Sequence, residues 1–387
     1  MLGIRKIFIT QDAVSEPAVT RLKARFETLP GSPAWEVIEA SSQAYAYVNG
    51  AADPYKTGKQ TLLLTRNRGP FIKGCPGTRE YTCCGYKILH WASYCPMDCA
   101  YCILQAYFHP PMLQLFVNHS DLWTELEALF ATRTLNRIGT GEFTDSLVWE
   151  PVADLTPELV TRFAHQSTNI LELKTKTVNI DALQDLKHNR KTIIAWSLNS
   201  EPVVGDIELG TAPLHKRLQA ARRCAEWGYP LAFHFDPLLI HEGWEQAYAS
   251  TIDSLFTHID PDQIVWISLG TFRFMPGLKE IIQTRFPAAK LIYGEFIPGM
   301  DGKMRYFKPL RIEIYRKIIQ WITLRAPQAT LYFCMEDDAV WQACLGYTPQ
   351  ERGGLNKILD DSAVRHCVLD TKLSRPTLPL LTISLRP

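Results

Sequence analysis

Cys95, Cys99 and Cys102 stand at the spacing C-x3-C-x2-C in the run Cys95-Pro96-Met97-Asp98-Cys99-Ala100-Tyr101-Cys102. A short loop with that spacing can turn three thiolates toward one centre. Iron–sulfur cubes are held by thiolates, normally four of them. Three protein ligands leave one iron open to a ligand that is not protein. Two plainer chemistries compete. Zinc needs a fourth ligand at tetrahedral distance, for which Cys75, Cys83, Cys84 and His90 are the candidates. A disulfide is the other, but ten cysteines in 387 residues are few for a disulfide scaffold, and no signal peptide is evident to carry the chain outward.

The elements that must position this loop are read from periodicity. From Lys87 the chain alternates strand and helix. Expected strands are Lys87–Ala92, Arg137–Gly141, Ile170–Thr175, Thr192–Leu198, Leu231–Asp236 and Ile264–Leu269. Expected helices are Asp121–Arg133, Pro157–His165, Ile180–Lys187, Ala212–Trp227, Gly243–His258 and Gly277–Arg285. Strands separated by helices imply parallel pairing through crossovers. Six such units are too many for a small open sheet and two short of a closed eightfold barrel. The expected fold class is therefore α/β, a partial (β/α)6 TIM-type barrel. Chemistry in such folds collects at the C-terminal ends of the strands, where the cysteine loop falls.

Residues 1–85 read as a small α/β extension, with strands at Arg5–Thr10, Trp35–Ile38 and Thr61–Thr65, a helix at Glu16–Leu29 and a polar loop at Asn49–Lys59. The barrel occupies residues 86–290. Residues 291–345 form an excursion: a hairpin with arms Leu291–Glu295 and Met304–Phe307 and glycines at its turn, a helix at Pro309–Leu324, a seventh strand at Ala329–Cys334 and a helix at Ala339–Leu345. The tail, residues 346–387, reads as loosely packed.

The composition is that of a globular protein, 46% hydrophobic and 21% charged. No apolar run reaches the roughly 18 to 20 residues of a membrane span, so the cytoplasm is the expected location and no membrane partner is expected. Net charge is +1, and any case for nucleic acid must come from a local patch.

An aromatic residue just before the third cysteine, Tyr101, completes a motif that resembles the radical S-adenosylmethionine (radical SAM) enzymes. Longer runs narrow the likeness. Lys59–Arg66 with Cys75-Pro76, Cys95–Gln105, Thr175-Lys176, His188-Asn189, Lys191-Thr192 and Ser197-Leu198-Asn199-Ser200 resemble spore photoproduct lyases in order and spacing. Gly210-Thr211, Arg217–Arg222, Gly228-Tyr229 and His241–Trp244 continue the series. The resemblance implies a DNA-repair lyase that splits a thymine photodimer with a 5′-deoxyadenosyl radical. It implies a 4Fe–4S cluster on Cys95, Cys99 and Cys102, and S-adenosylmethionine beside Tyr101, Lys176, Ser197 and Asp236. Glu142, after Gly141, resembles the segment that meets the cofactor's amino group, and Asp145 of the same segment is expected to bind with it. Its partners would be DNA carrying a pyrimidine lesion and an electron donor such as flavodoxin or ferredoxin.

Two departures stand out. The family's hydrogen-atom donor is a cysteine beyond the second strand, where this chain has Phe143, and no cysteine occurs from Ile103 to Arg223. The family's tyrosine after the third cluster cysteine is Ile103 here. Cys334, closing the seventh expected strand, or a nearby tyrosine, is the candidate replacement donor; the plainer reading of Cys334 is a structural thiol. Lys174 and Lys176, and His234 and Asp236, share strand faces by alternation. Lys303, Arg305, Tyr306 and Lys308 on the hairpin, with Arg311, Arg316 and Lys317 following, are the expected DNA contacts, cations for phosphates and aromatics for bases. The alternatives are a radical SAM enzyme with another nucleic-acid or small-molecule substrate, and a zinc-bound nucleic-acid module.

Overall fold

The structure, a computed structural model, describes residues 2–77 and 80–369. Seven parallel strands form a curled sheet: β1 (Lys87–Leu89), β2 (Asn136–Gly139), β3 (Asn169–Thr175), β4 (Thr192–Ser197), β5 (Leu231–Leu238), β6 (Ile264–Thr271) and β7 (Leu331–Phe333). They lie side by side in chain order, with Ile72–Gly74 antiparallel on the outer edge of β1. This is the expected partial barrel. β4 and β6 are buried along their whole length, as strands covered on both faces must be.

The expected single strand Lys87–Ala92 is divided. Lys87–Leu89 joins the barrel, while Ala92–Ser93 pairs antiparallel with Leu113–Phe116 in a second sheet. That sheet runs Ala34–Ile38, Lys6–Thr10, Thr61–Thr65, Leu113–Phe116, Ala92–Ser93. Its first four strands are parallel. The chain therefore enters the cysteine loop clamped between two sheets.

Other expectations are corrected. The loop Asn49–Lys59 contains a helix, Pro54–Lys59, nucleated by Pro54 in its first turn and by Asp53, which accepts the Lys56 amide at 2.9 Å. The helix expected at Ile180–Lys187 shrinks to the single turn Asp181–Leu183. The Leu183 carbonyl, which a helix would use internally, accepts the Tyr229 hydroxyl at 2.8 Å. The first hairpin arm is Phe296–Pro298 rather than Leu291–Glu295, because Phe296 is the ring that packs on Phe272, Phe274 and Tyr306. The tail is not loose where it is described. Leu355–His366 is a helix docked on the barrel, with Ser362 donating to the Val265 carbonyl and Arg137 pairing with Asp360 at 2.9 Å. The remainder of the tail lies outside the described residues.

Gly139, at the end of β2, has no room for a side chain. A Cβ there would stand 1.5 Å from the Tyr86 hydroxyl and 3.1 Å from the Glu172 carbonyl. Gly139→Ala is expected to lose about 1–3 kcal/mol or more by overpacking, read as a lowered denaturation midpoint with an unchanged slope.

Candidate active site

The cysteine loop is held from beneath by its backbone. Lys59, at the end of its short helix, donates to the Cys95 carbonyl at 3.0 Å and to that of Met97, and pairs with Asp98 at 3.3 Å. Gln105 donates to the carbonyls of Cys99, Ala100 and Cys102 at 3.2, 3.2 and 3.4 Å. Arg285 closes the frame, with one nitrogen on Gln105 and another on Asp98 at 2.9 Å. Asp98–Cys99 also pairs antiparallel with Glu208–Leu209. Two elements far apart in sequence thus fix where the thiols point.

All three thiols are free. Burial pushes Cys95 up to about 12 and Cys99 well above the ordinary thiol value. The Lys59 charge and the Met97 amide act the other way on Cys95, and Lys176 does so on Cys99. Partly buried thiols with cations and an amide beside them suit thiolates neutralised by iron, since burial and hydrogen bonds to sulfur are what tune such clusters. Among the described residues, no three His, Cys, Asp or Glu side chains gather closely enough for a single metal ion. The four residues offered as a fourth zinc ligand are engaged elsewhere. Cys75 and Cys84 lie within electrostatic reach of Cys334, and Cys83 accepts the Gly85 amide at 3.5 Å. His90 meets Lys73 at 3.2 Å and Ser93 at 2.7 Å.

Tyr101 donates its hydroxyl to Glu208, and Glu208 pairs with Arg217 at 2.6 Å. Arg217 is 0% exposed. It also donates to Thr211 at 2.7 Å and to the carbonyls of Ser197 and Ala212 at 2.9 and 2.8 Å. Lys176 lies over the Tyr101 ring, 5.7 Å from its centroid. Tyr101, Lys176 and Ser197 are thereby brought together beside the thiols. Glu208 carries no local signal in the sequence, and Arg217 stands there only within the run Arg217–Arg222.

The rest of the barrel mouth is a ring of opposite charges. Glu142 stands 3.9 Å from Lys174. Asp236 holds Arg273 through two bonds of 2.9 and 3.1 Å. A Cβ at Gly270 would stand 2.6 Å from the Asp236 carboxyl, so only glycine lets this pair lie across β6. Burial, the largest influence, would raise Asp236, but the charge and hydrogen bonds of Arg273, with the charges of Lys174 and His234, together hold the carboxyl below the ordinary value. Each Asp236 oxygen accepts one nitrogen of Arg273. Arg273 in turn reaches the Cys334 sulfur at 3.4 Å. Cys334 follows β7 and donates its amide to the Leu269 carbonyl at 3.1 Å, which puts its thiol on the mouth.

Asp145 accepts from Thr175 at 2.7 Å, the Lys176 amide at 2.7 Å and the Leu147 amide at 3.0 Å. It shapes the wall that presents Lys176. His234 lies deeper, 2.5 Å from Glu172 and 2.6 Å from Ser268, a satisfied core histidine. Phe143 is buried under Tyr107, which stacks on it at 5.7 Å, and against His90 at 4.4 Å.

The hairpin corrects the expected DNA contacts. Arg305 is 2% exposed, paired with Asp301 at 2.8 Å and bonded to the Met335 carbonyl at 3.0 Å. Tyr306 is buried, stacked on Phe296 and accepting the Ile240 amide at 3.1 Å. Both belong to the fold and offer DNA no surface. Lys303 pairs with Asp301 and Lys308 with Asp337, at 3.3 and 2.7 Å. Arg311 is buried against Glu336, and Lys317 meets Glu245 and Glu313. What the hairpin region does expose is apolar: Ile297, Met300 at 61% and Phe307 at 57%.

A partial barrel whose first strand leads, through the short strand Ala92–Ser93, into a loop of three free thiols has the build of a radical SAM enzyme. The family model described as Spore photoproduct lyase matches residues 5–332. The Bacillus subtilis (strain 168) spore photoproduct lyase is 26% identical over 319 residues, covering 81% of this chain and 89% of that protein. That of Geobacillus sp. (strain Y412MC61) is 28% identical over 242 residues, covering 61% and 69%. A solved spore photoproduct lyase complexed with dinucleoside spore photoproduct superimposes with a TM-score of 0.74 at 22% identity, over 86% of this chain and 99% of that one. The chain belongs to the spore photoproduct lyase family. Among its described residues no helix is long and apolar enough to cross a membrane.

Proposed function

We propose that this protein is a radical SAM lyase that splits a thymine photodimer in DNA, spore photoproduct or a close relative. The observation that carries the reading is the loop of Cys95, Cys99 and Cys102, fixed by Lys59 and Gln105 at the end of a barrel strand. The three thiolates would hold a 4Fe–4S cluster with one iron left for S-adenosylmethionine. When bound, that pair supplies a 5′-deoxyadenosyl radical able to take a hydrogen atom from the substrate. This chain's residues bind and orient. Tyr101, pinned by Glu208, offers a fixed ring face to the adenine. Lys176 and Ser197 line the same wall, and Glu142 stands at the mouth for an amino group. The charge pairs Glu142–Lys174 and Asp236–Arg273 close the mouth without leaving an uncompensated ion.

Phe143 offers no exchangeable hydrogen. Cys334, beside Arg273 on the mouth, is the reading's hydrogen-atom donor to the product radical. A lesion in duplex must be extruded to reach the mouth. Ile297, Met300 and Phe307 suit a wedge between bases. Phe307→Ala is expected to weaken binding of lesion-bearing duplex by about 1–3 kcal/mol. Turnover of the free dinucleoside should be unchanged, with affinity read by fluorescence anisotropy. A flavodoxin or ferredoxin type of carrier supplies the electron, and the cytoplasm is the setting.

The test is anaerobic incubation of reconstituted protein with S-adenosylmethionine, reductant and dinucleoside spore photoproduct. Repair to thymidine residues with formation of 5′-deoxyadenosine is expected. Phe143 and Ile103 favour one second reading, another substrate on the same scaffold. Cofactor cleavage without repair of any dimer would select it.

A further inference from the structure

The Arg273 guanidinium lies across the ends of three barrel strands, with each terminal nitrogen making two bonds. Nη1 donates to Asp236 Oδ1 at 2.9 Å and to the Thr271 carbonyl at 3.3 Å. Nη2 donates to Asp236 Oδ2 at 3.1 Å and to the Cys334 sulfur at 3.4 Å. Asp236 comes from β5, Thr271 closes β6 and Cys334 follows β7, so one planar group ties all three. Gly270 leaves the room for it: a Cβ there would stand 2.9 Å from Arg273 Nη1. A guanidinium is all donor. Its contact therefore takes a lone pair of the Cys334 sulfur, and the S–H hydrogen must point away from Arg273. Cys334 is half-buried, so part of its surface stays open, and its amide is fixed on the Leu269 carbonyl at 3.1 Å. Burial lifts the thiol to about 11 against the pull of the Arg273 charge, so it keeps its hydrogen at neutral pH.

We propose that Arg273 is a positioning residue, which fixes the Cys334 sulfur and turns its hydrogen into the barrel mouth. The proposal rests on the reading of Cys334 as hydrogen-atom donor. In the step it serves, the product's carbon radical takes one hydrogen atom, proton and electron together, from the Cys334 thiol. A C–H bond forms, the S–H bond breaks, and a thiyl radical remains on Cys334. No net charge moves, so Arg273 neither gives nor takes a proton. Its contribution is geometry. Reacting atoms must be held about 3–3.5 Å apart and aligned, and a free cysteine side chain swings among three staggered positions. Asp236 and the Thr271 carbonyl hold the guanidinium still, and the guanidinium holds the sulfur.

Two measurements on the full-length, reconstituted protein under anaerobic conditions test this. The first needs no turnover: the rate at which iodoacetamide alkylates Cys334 at neutral pH, followed on its peptide by mass spectrometry. The charges facing this thiol are Arg273, Asp236, Glu142 and Lys174. Removing the guanidinium in Arg273→Met should slow alkylation about tenfold, because a cation beside sulfur favours the reactive thiolate. An unchanged or faster rate overturns the contact and the proposal with it. The second is single-turnover repair of dinucleoside spore photoproduct in deuterium oxide, where the Cys334 hydrogen has exchanged and a donor thiol puts solvent deuterium into the repaired thymidine. Arg273→Met is expected to slow deuterium transfer about tenfold, the equivalent of one hydrogen bond from a charged donor, with the half-saturating substrate concentration unchanged. Arg273→Lys keeps Asp236 neutralised and so guards the fold, but it lacks the planar fork and should show the same slowing. Parental transfer in both variants, with Cys334→Ala delivering no deuterium, overturns the positioning and leaves the donor standing. Parental deuterium transfer in Cys334→Ala overturns the donor itself, and the positioning with it.

Discussion

Cys99→Ala is expected to abolish the cluster while leaving the fold in place. Cys99 is one of three thiols in a loop whose backbone is tied by Lys59, Gln105 and the Glu208–Leu209 strand, none of which uses its sulfur. The loop should keep its course when the sulfur goes. Two thiolates then face a cluster that needs three, so iron and acid-labile sulfide should fall to background. With no cluster the whole catalysed rate is lost, at least about 10⁶-fold on the usual scale of enzyme acceleration. The far-ultraviolet circular dichroism should match the parent. Full iron content in Cys99→Ala would remove Cys99 from the ligand set.

Arg217→Leu should be the most damaging single change outside the loop. The guanidinium is 0% exposed and satisfies Glu208, Thr211 and the carbonyls of Ser197 and Ala212. Removing it strands a buried carboxylate, which costs about 3–5 kcal/mol. Urea denaturation should show that loss. The double variant Arg217→Leu with Glu208→Leu removes both charges and should recover much of the stability. It should not recover cofactor binding, because Tyr101 then has no acceptor for its hydroxyl and Asp98–Cys99 loses a pinned neighbour. S-adenosylmethionine affinity, measured by equilibrium dialysis of the reconstituted protein, separates the two effects. Parental affinity in the double variant would show that Glu208 stabilises the fold without positioning the site.

The contrast between these two residues shows what could be read from the sequence. The three cysteines lie within one loop, so their spacing marked them as a metal-binding candidate, and the family resemblance pointed to a cluster rather than zinc. The barrel strands were legible because strands buried on both faces are unbroken apolar runs. Glu208 was not legible. It reaches Tyr101 across 107 positions of chain, and no local pattern marks a buried carboxylate whose partners are so distant. The hairpin misled for the same reason. Lys303, Arg305, Lys308, Arg311 and Lys317 read as a basic stripe, but Asp301, Asp337, Glu336 and Glu245 neutralise them, mostly from other elements. The docked tail helix was a different failure. Leu355, Leu359 and Ala363 recur at a spacing of four and are buried, a signal present in the sequence. Residues whose partners are local could be placed; residues whose partners are tertiary needed the fold.

That three thiolates would leave one iron for S-adenosylmethionine is tested most directly by electron paramagnetic resonance of the reduced, reconstituted protein before and after S-adenosylmethionine is added. A cubane signal whose g-values shift on addition is expected, because the sulfonium compound binds the cluster itself. A signal unmoved by saturating S-adenosylmethionine, or no cubane signal in protein carrying all three cysteines, would contradict it.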